Sequence, residues 1–333
     1  MSFDLKRQSL LQRIANVRNK DFERLALEVY RFQATYNDTY REFHDYLGVN
    51  AAKVSYLTEI PFLPIQLFKT NTIQTGNWGA QVIFESSGTT GAIPSKHHIR
   101  DLSWYLVNAT RGFESFYGDV ADWNILALLP SYLERGSSSL VCMVDEFIHQ
   151  SHSEDSGFFL NDYEDLFKKL VKAGEEGVPT LLIGVTYALL DMAEQYELPK
   201  FKNLMVMETG GMKGRRKEIT RTEMHEILAA AFGKENIHSE YGMTELLSQA
   251  YSRGKGIFTP CKTMLVMTAD VYDPLQVTFS NKRGVLQVID LANLDTCSFI
   301  ATEDLGFVHD NGDFEVIGRL DSSELRGCNL MVE

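Results

Sequence analysis

Apolar residues near the start of the chain recur at roughly helical spacing. Leu5, Leu10, Leu11 and Ile14 are followed by Phe22, Leu25, Leu27, Val29 and Phe32, set among Arg, Lys and Glu. This pattern predicts a helical N-terminal region over residues 1–60. Tyr30, Phe32, Tyr36, Tyr40, Phe43 and Tyr46 crowd the same stretch, and an aromatic stripe at this spacing reads as core rather than as a cofactor box. Pro61 and Pro64 then break the helical pattern.

Beyond them, short apolar runs alternate with amphipathic ones. Residues 81–84, 123–129, 179–185 and 203–207 read as strands, and 187–196 and 217–232 as helices, with Gly233 at the C-terminal stop of the latter. Strands alternating with helices predict an α/β layered fold over 61–260. After residue 260 the pattern turns β-like at 285–289 and 307–317, with a hairpin turn at Asp310–Asp313. Residues 261–333 are therefore expected to form a smaller β-rich subdomain ending in a tail, with 61–333 as one compact body.

Composition narrows the function. The 333 residues are 44% hydrophobic, enough for a sizeable core, and the net charge of −13 disfavours nucleic acid and anionic membranes as partners. Cys142, Cys261, Cys297 and Cys328 form no CxxC pair and no zinc spacing. Such thiols, an N-terminus without a signal-peptide core, and apolar runs such as Leu181–Leu190 that are too short to span a bilayer predict a cytoplasmic protein with no membrane span.

Three segments carry candidate chemistry. Ser86, Ser87, Gly88, Thr89, Thr90 and Gly91 directly follow a predicted strand, and Lys96 lies shortly after. Glycines let a backbone approach a ligand, and hydroxyls, N–H groups and a lysine suit phosphate oxygens. The GK[ST] ending of a P-loop is absent. In the second segment, Ser239–Glu245, Tyr241 can stack on a purine, Gly242 permits close approach, Thr244 can donate to phosphate and Glu245 can hold Mg²⁺. Gly210 and Gly211 end an earlier strand, where open α/β sheets bind ligands. In the third, Asp304 and Arg319 suit ribose hydroxyls. Each segment alone is ordinary; their order together is specific.

In that order they resemble the adenylate-forming superfamily of acyl-CoA synthetases and luciferases. IPFLPIQLFK (60–69), SSGTTGAIPSKHH (86–98) and GRLDSSELRGCNL (318–330) resemble more closely the LuxE-type acyl-protein synthetases. The resemblance implies ATP-dependent activation of a carboxylic acid, a fatty acid by family, to acyl-AMP with Mg²⁺, then transfer to a thiol and delivery to an acyl-CoA-reductase-like partner. Residues 86–91 would grip the ATP phosphates, and Gly210, Gly211 and Tyr241 would frame adenine. Thr244 would meet phosphate, Glu245 Mg²⁺, and Asp304 with Arg319 the ribose. The wider superfamily continues past this point into a mobile domain whose lysine assists adenylation, whereas this sequence stops at Glu333. Either another cation, with Lys96 as the candidate, neutralises the developing charge, or the partial reaction runs differently.

The LuxE resemblance makes Cys328 the acyl acceptor. Extended chain from Arg319 would let that thiol sweep on the order of 30 Å, and Arg326 would favour the thiolate. His97 and His98 line the site or mark a polar helix entry. His149 and His152 read as surface loop, residues 136–139 as a helix start, and residues 215–217 as a solvated helix start. Two alternatives stand beside the leading reading: a CoA ligase similar to phenylacetate-CoA ligases, and an inactive nucleotide-binding scaffold.

Overall fold

The computed structural model describes residues 2–86, 93–130, 137–210 and 219–320. Three helices open the chain: α1 (Phe3–Ile14), α2 (Asn19–Tyr36) and α3 (Asp38–Leu47). Asn37 caps α3 by accepting from the Tyr40 N–H, and Gly48 ends it in the left-handed region. The proline-broken stretch then supplies β1 (Leu63–Pro64) and a single turn, α4 (Leu67–Thr70).

The α/β portion follows in the expected alternation. A hairpin of β2 (Val82–Glu85) and β3 (Lys96–Ile99) precedes α5 (Leu102–Tyr117), β4 (Asn124–Leu128), α6 (Ser139–Gln150), β5 (Gly157–Phe158), α7 (Tyr163–Glu176), β6 (Thr180–Gly184), α8 (Thr186–Gln195), β7 (Leu204–Glu208), α9 (Arg221–Phe232) and β8 (His238–Tyr241). Strands β5, β4, β6, β7 and β8 lie side by side and parallel. Every residue of β4, β6 and β7 is buried, as a parallel sheet covered on both faces requires. Two starts differ from the sequence reading. His97 and His98 stand in β3 rather than at a helix entry, and α9 begins at Arg221 behind a capping box of Thr220 and Glu223.

The chain then turns antiparallel through β9 (Ala250–Ser252), β10 (Ile257–Pro260), β11 (Met264–Ala269), β12 (Val277–Thr278), β13 (Lys282–Asp290), β14 (Phe299–Val308) and β15 (Phe314–Arg319). The β-rich stretch forms no separate layer. One sheet runs β12-β11-β13-β14-β15-β10-β9-β8-β7-β6-β4-β5, with β1 added on β14, because β9 and β10 bridge β8 to β15. Among the described residues, no helix is long and apolar enough to cross a membrane.

The sheet carries two apolar cores. One lies between the parallel strands and α5–α9; the other joins α1–α3 to β11, β13 and β14. Tyr30, Phe32 and Tyr40 are in the second, while Tyr46 stands in the open. Polar clamps set the register of that packing. Gln33 donates to the Asn293 and Leu294 carbonyls at 2.9 and 3.0 Å and accepts from the Ser298 N–H at 2.9 Å. Asn37 donates to the Thr296 carbonyl at 2.9 Å, and Arg7 forks onto Asp295. The N-terminal helices therefore hold the 291–298 connection, whose Asn293 in turn donates to the Glu245 carbonyl at the cavity described next.

Candidate active site

The site is assembled at the carboxyl ends of the parallel strands. The β2–β3 hairpin is closed at its open end by reciprocal serine contacts. The Ser86 N–H donates to the Ser95 carbonyl at 3.1 Å, and the Ser95 N–H donates to Ser86 Oγ at 2.9 Å. Ser87, Gly88, Thr89, Thr90 and Gly91 lie outside the described residues, as do Gly211, Cys328 and residues 215–217. Lys96 faces Glu85 across the hairpin, 3.7 Å from its carboxylate, and is not on the cavity wall.

At the end of β7, Glu208 is buried and its Oε2 accepts from the Gly210 N–H at 2.6 Å and the Thr186 hydroxyl at 3.3 Å. Gly210 has φ of 76°, a backbone region that side chains rarely adopt. Beside it, the buried Thr209 Oγ1 has no hydrogen-bond partner among the described residues.

At the end of β8, residues 242–249 turn back into β9, and buried groups pin this turn from below. His97 Nδ1 donates to the Thr244 carbonyl at 2.8 Å, and Asn293 donates to the Glu245 carbonyl at 2.7 Å. Asp290 accepts from the Leu247 and Ser248 N–H groups at 2.7 and 3.0 Å. The Glu245 carboxyl is 5% exposed; burial raises its pKa, opposed by a hydrogen bond from Ser95. A Cβ on Gly242 would stand 2.4 Å from Glu240 Oε1, so this glycine leaves room for the Glu240 carboxyl.

Tyr241 is buried against Phe258 and Phe314 and donates to Asp304 Oδ2 at 2.8 Å. Burial raises the Asp304 pKa, while that hydrogen bond and the nearby Arg319 lower it. Asp304 and Arg319 are register partners on β14 and β15, and Arg319 reaches Glu303 at 2.8 Å.

These groups meet in one cavity of about 530 Å³, whose wall includes Ser86, Tyr241, Gly242, Thr244, Glu245, Asp304 and Arg319. Gly210 sits one residue beyond the wall residue Thr209. The sequence reading missed Lys69, Glu240 and Thr209, all on the wall. Lys69 closes the IPFLPIQLFK string and Glu240 precedes Tyr241, so both lay inside noted segments without a role. His97 is fully buried, off the wall, and pushed down to about 4 by burial. Cys261 and Cys297 are buried thiols, Cys142 is half-buried, and His149 lies exposed in the last turn of α6.

Among the described residues, no cluster of three or more His, Cys, Asp or Glu could hold an ion by itself. Glu245, one of the carboxylates on the wall, matches the way Mg²⁺ is usually held, by one or two carboxylates plus substrate phosphates. Thr209 Oγ1, buried and unpartnered at the wall, is the kind of orphan a bound ligand satisfies.

No family model matches the chain. The long-chain-fatty-acid–luciferin-component ligase of Vibrio harveyi is 23% identical over 332 residues, covering 92% of this chain and 86% of that protein. ATP-bound MatB from Rhodopseudomonas palustris aligns with a TM-score of 0.55 at 16% identity, over 73% of this chain and 49% of its own. A long-chain-fatty-acid–CoA ligase from Archaeoglobus fulgidus aligns at 0.53 and 15% identity, over 73% and 52%. The chain thus spans about half the length of these solved structures. It has their fold, that of the adenylate-forming enzymes.

Proposed function

We propose that this LuxE-like chain, with its adenylate-forming fold, activates a carboxylic acid with ATP and transfers the acyl group to a protein thiol, Cys328, for delivery to a reductase partner. The observation that carries the reading is convergence. Ser86, Tyr241, Thr244, Glu245, Asp304 and Arg319 come from separate stretches of sequence and share one cavity wall. Likeness to a long-chain-fatty-acid ligase over most of the chain supports an acid as substrate and a fatty acid as its class.

A carboxylate oxygen would attack the α-phosphorus of ATP, pyrophosphate would leave, and the mixed anhydride acyl-AMP would form. A thiolate would then attack the acyl carbon and expel AMP, leaving a thioester. Ser86 and the following loop would receive the phosphates, Thr209, Gly210, Gly211 and Tyr241 would frame the base, and Asp304 with Arg319 would take the ribose. Glu245 would hold Mg²⁺, which when bound offsets phosphate charge. Thr244 would donate to a phosphate oxygen. As a cation beside the phosphates, Lys69 is better placed than Lys96, since it lies on the wall and its charge acts on Glu245.

The test is incubation with ATP, Mg²⁺ and a panel of labelled acids. Acid-dependent exchange of pyrophosphate into ATP, together with hydroxylamine-labile label on the protein, is the expected result. Cys328→Ser should keep the exchange and lose the label. Label retained in that variant would exclude Cys328, free CoA thioester without protein label would select a CoA ligase, and no exchange would leave a nucleotide-binding scaffold.

A further inference from the structure

The cavity has a second flank, on the opposite side of β8 from Asp304. Along β8, Tyr241 faces Asp304, and Glu240 points the other way, toward α5 and α6. In the β8–β9 ladder Glu240 stands directly opposite Tyr251. Gln249, two residues before Tyr251, comes onto the same side. Both Glu240 and Gln249 line the cavity, together with Tyr105, Ser139 and Met143.

Two polar groups of this flank have no partner among the described residues. The Glu240 carboxyl makes no hydrogen bond or ion pair with them, and its electrostatic neighbour is another acid, Glu208. Gln249 is 4% exposed, and its Oε1, close to Gly112, is buried with no hydrogen-bond partner among them. The Tyr105 hydroxyl, whose charge environment includes Glu240, donates instead to the Ser139 carbonyl at 2.9 Å. Buried polar groups in folded proteins are nearly always satisfied, and a carboxyl left unpaired at a cavity wall is costly. An unsubstituted alkyl chain packed here would seal that cost in; a ligand that donates hydrogen bonds would remove it.

We infer that the acid activated at this site carries a hydrogen-bond donor near its carboxyl, a hydroxyl or an amino group, which Glu240 receives. The inference rests on the activation reading and narrows its substrate class to a functionalised acid. Glu240 is then a specificity-determining residue. A site built around a substrate's hydroxyl or amino group discriminates strongly against the analogue that lacks it, because its own polar groups are left unpaired.

The experiment is pyrophosphate exchange by the full chain with matched acids, each offered unsubstituted, hydroxylated and aminated on the carbons nearest the carboxyl. A substituted acid should exceed its plain counterpart by at least about tenfold in kcat/KM. Preference for the amine would mean an ion pair with Glu240, and preference for the hydroxyl a neutral hydrogen bond; either supports the inference. Glu240→Leu should abolish or invert the ratio. The near-isosteric Glu240→Gln, which preserves packing, should keep a hydroxyl preference and lose an amine preference. Plain acids exchanging as well as substituted ones would overturn the inference while leaving activation intact. A preference unchanged in both variants would also overturn it. Exchange with no acid at all would remove the activation reading and this inference with it.

Discussion

His97 Nδ1 donates to the Thr244 carbonyl at 2.8 Å across 147 positions of sequence, fixing the turn that carries Thr244 and Glu245 to the β2–β3 hairpin. With Nδ1 as donor, Nε2 is the acceptor facing the Thr296 hydroxyl at 3.0 Å. The hairpin, the β8–β9 turn and the 291–298 connection therefore meet on one neutral imidazole.

Acid should loosen this junction. Burial pushes His97 down to about 4, and His44 and His238 likewise. A histidine with an ordinary unfolded value of about 6.5 then binds fewer protons when folded. Its contribution is full above about 6.5 and is lost as pH falls toward 4. Urea midpoints should drop over that window. His97→Asn keeps a donor toward Thr244 without the titration, so it should start about 1–2 kcal/mol lower and fall less steeply. A pH slope equal to that of the unaltered protein would dissociate His97 from the acid transition.

The two lysines separate by position. Lys69 lies on the cavity wall, whereas Lys96 is off it and pairs with the wall residue Glu85. If Lys69 offsets charge on the transferring phosphate, Lys69→Ala should lower the rate of acid-dependent exchange about 10²-fold. Lys96→Ala should change it less than about threefold, as for an exposed ion pair. Equal losses in both would reject this division of labour.

Tyr241 bonds the same Asp304 that is proposed to meet the ribose. Tyr241→Phe removes that donor and keeps the ring contacts with Phe258 and Phe314. The KM for ATP should rise about tenfold, the worth of one hydrogen bond to a charged group, and the unfolding midpoint should fall as well, since the bond is made in the folded chain. An unaltered KM would mean that Asp304 orients itself without the phenol.

Much of this was legible in the sequence because the signals are local. Apolar runs ended by Pro130 or by Thr209–Gly210 gave β4 and β7, and Gly233 gave the end of α9, whereas its start behind the Thr220–Glu223 box did not follow from the apolar pattern. Tyr241, Glu245 and Asp304 could be assigned to one site through their order in the chain. The supports were not legible, since they are long-range. Asp290 under Leu247 and Ser248, Asn293 under Glu245 and His97 under Thr244 pair residues with no common motif. The joining of the β-rich strands into the main sheet also escaped, because alternation predicts strands but not their neighbours. Lys69 was inside a quoted string, yet only the folded path of β1 and α4 brings it to the wall.

Glu240 should shape stability at the other end of the pH scale. Burial, with the charge of Glu208 adding to it, raises this carboxyl from 4.5 to about 8. Between those values the folded chain keeps a proton that the unfolded chain has released, so stability declines as pH rises through that window and levels off above it. The trend is opposite in sign to that of the buried histidines, and together they place maximal stability at mildly acidic pH. Glu240→Gln removes the titration while keeping the shape. Near pH 4.5 the variant should match the unaltered protein, and above about 8 it should exceed it by an amount on the order of a few kcal/mol. Denaturant titrations across that range read the difference directly. A variant that declines in parallel with the unaltered protein would assign the alkaline loss to another group and leave Glu240 ionised in the fold.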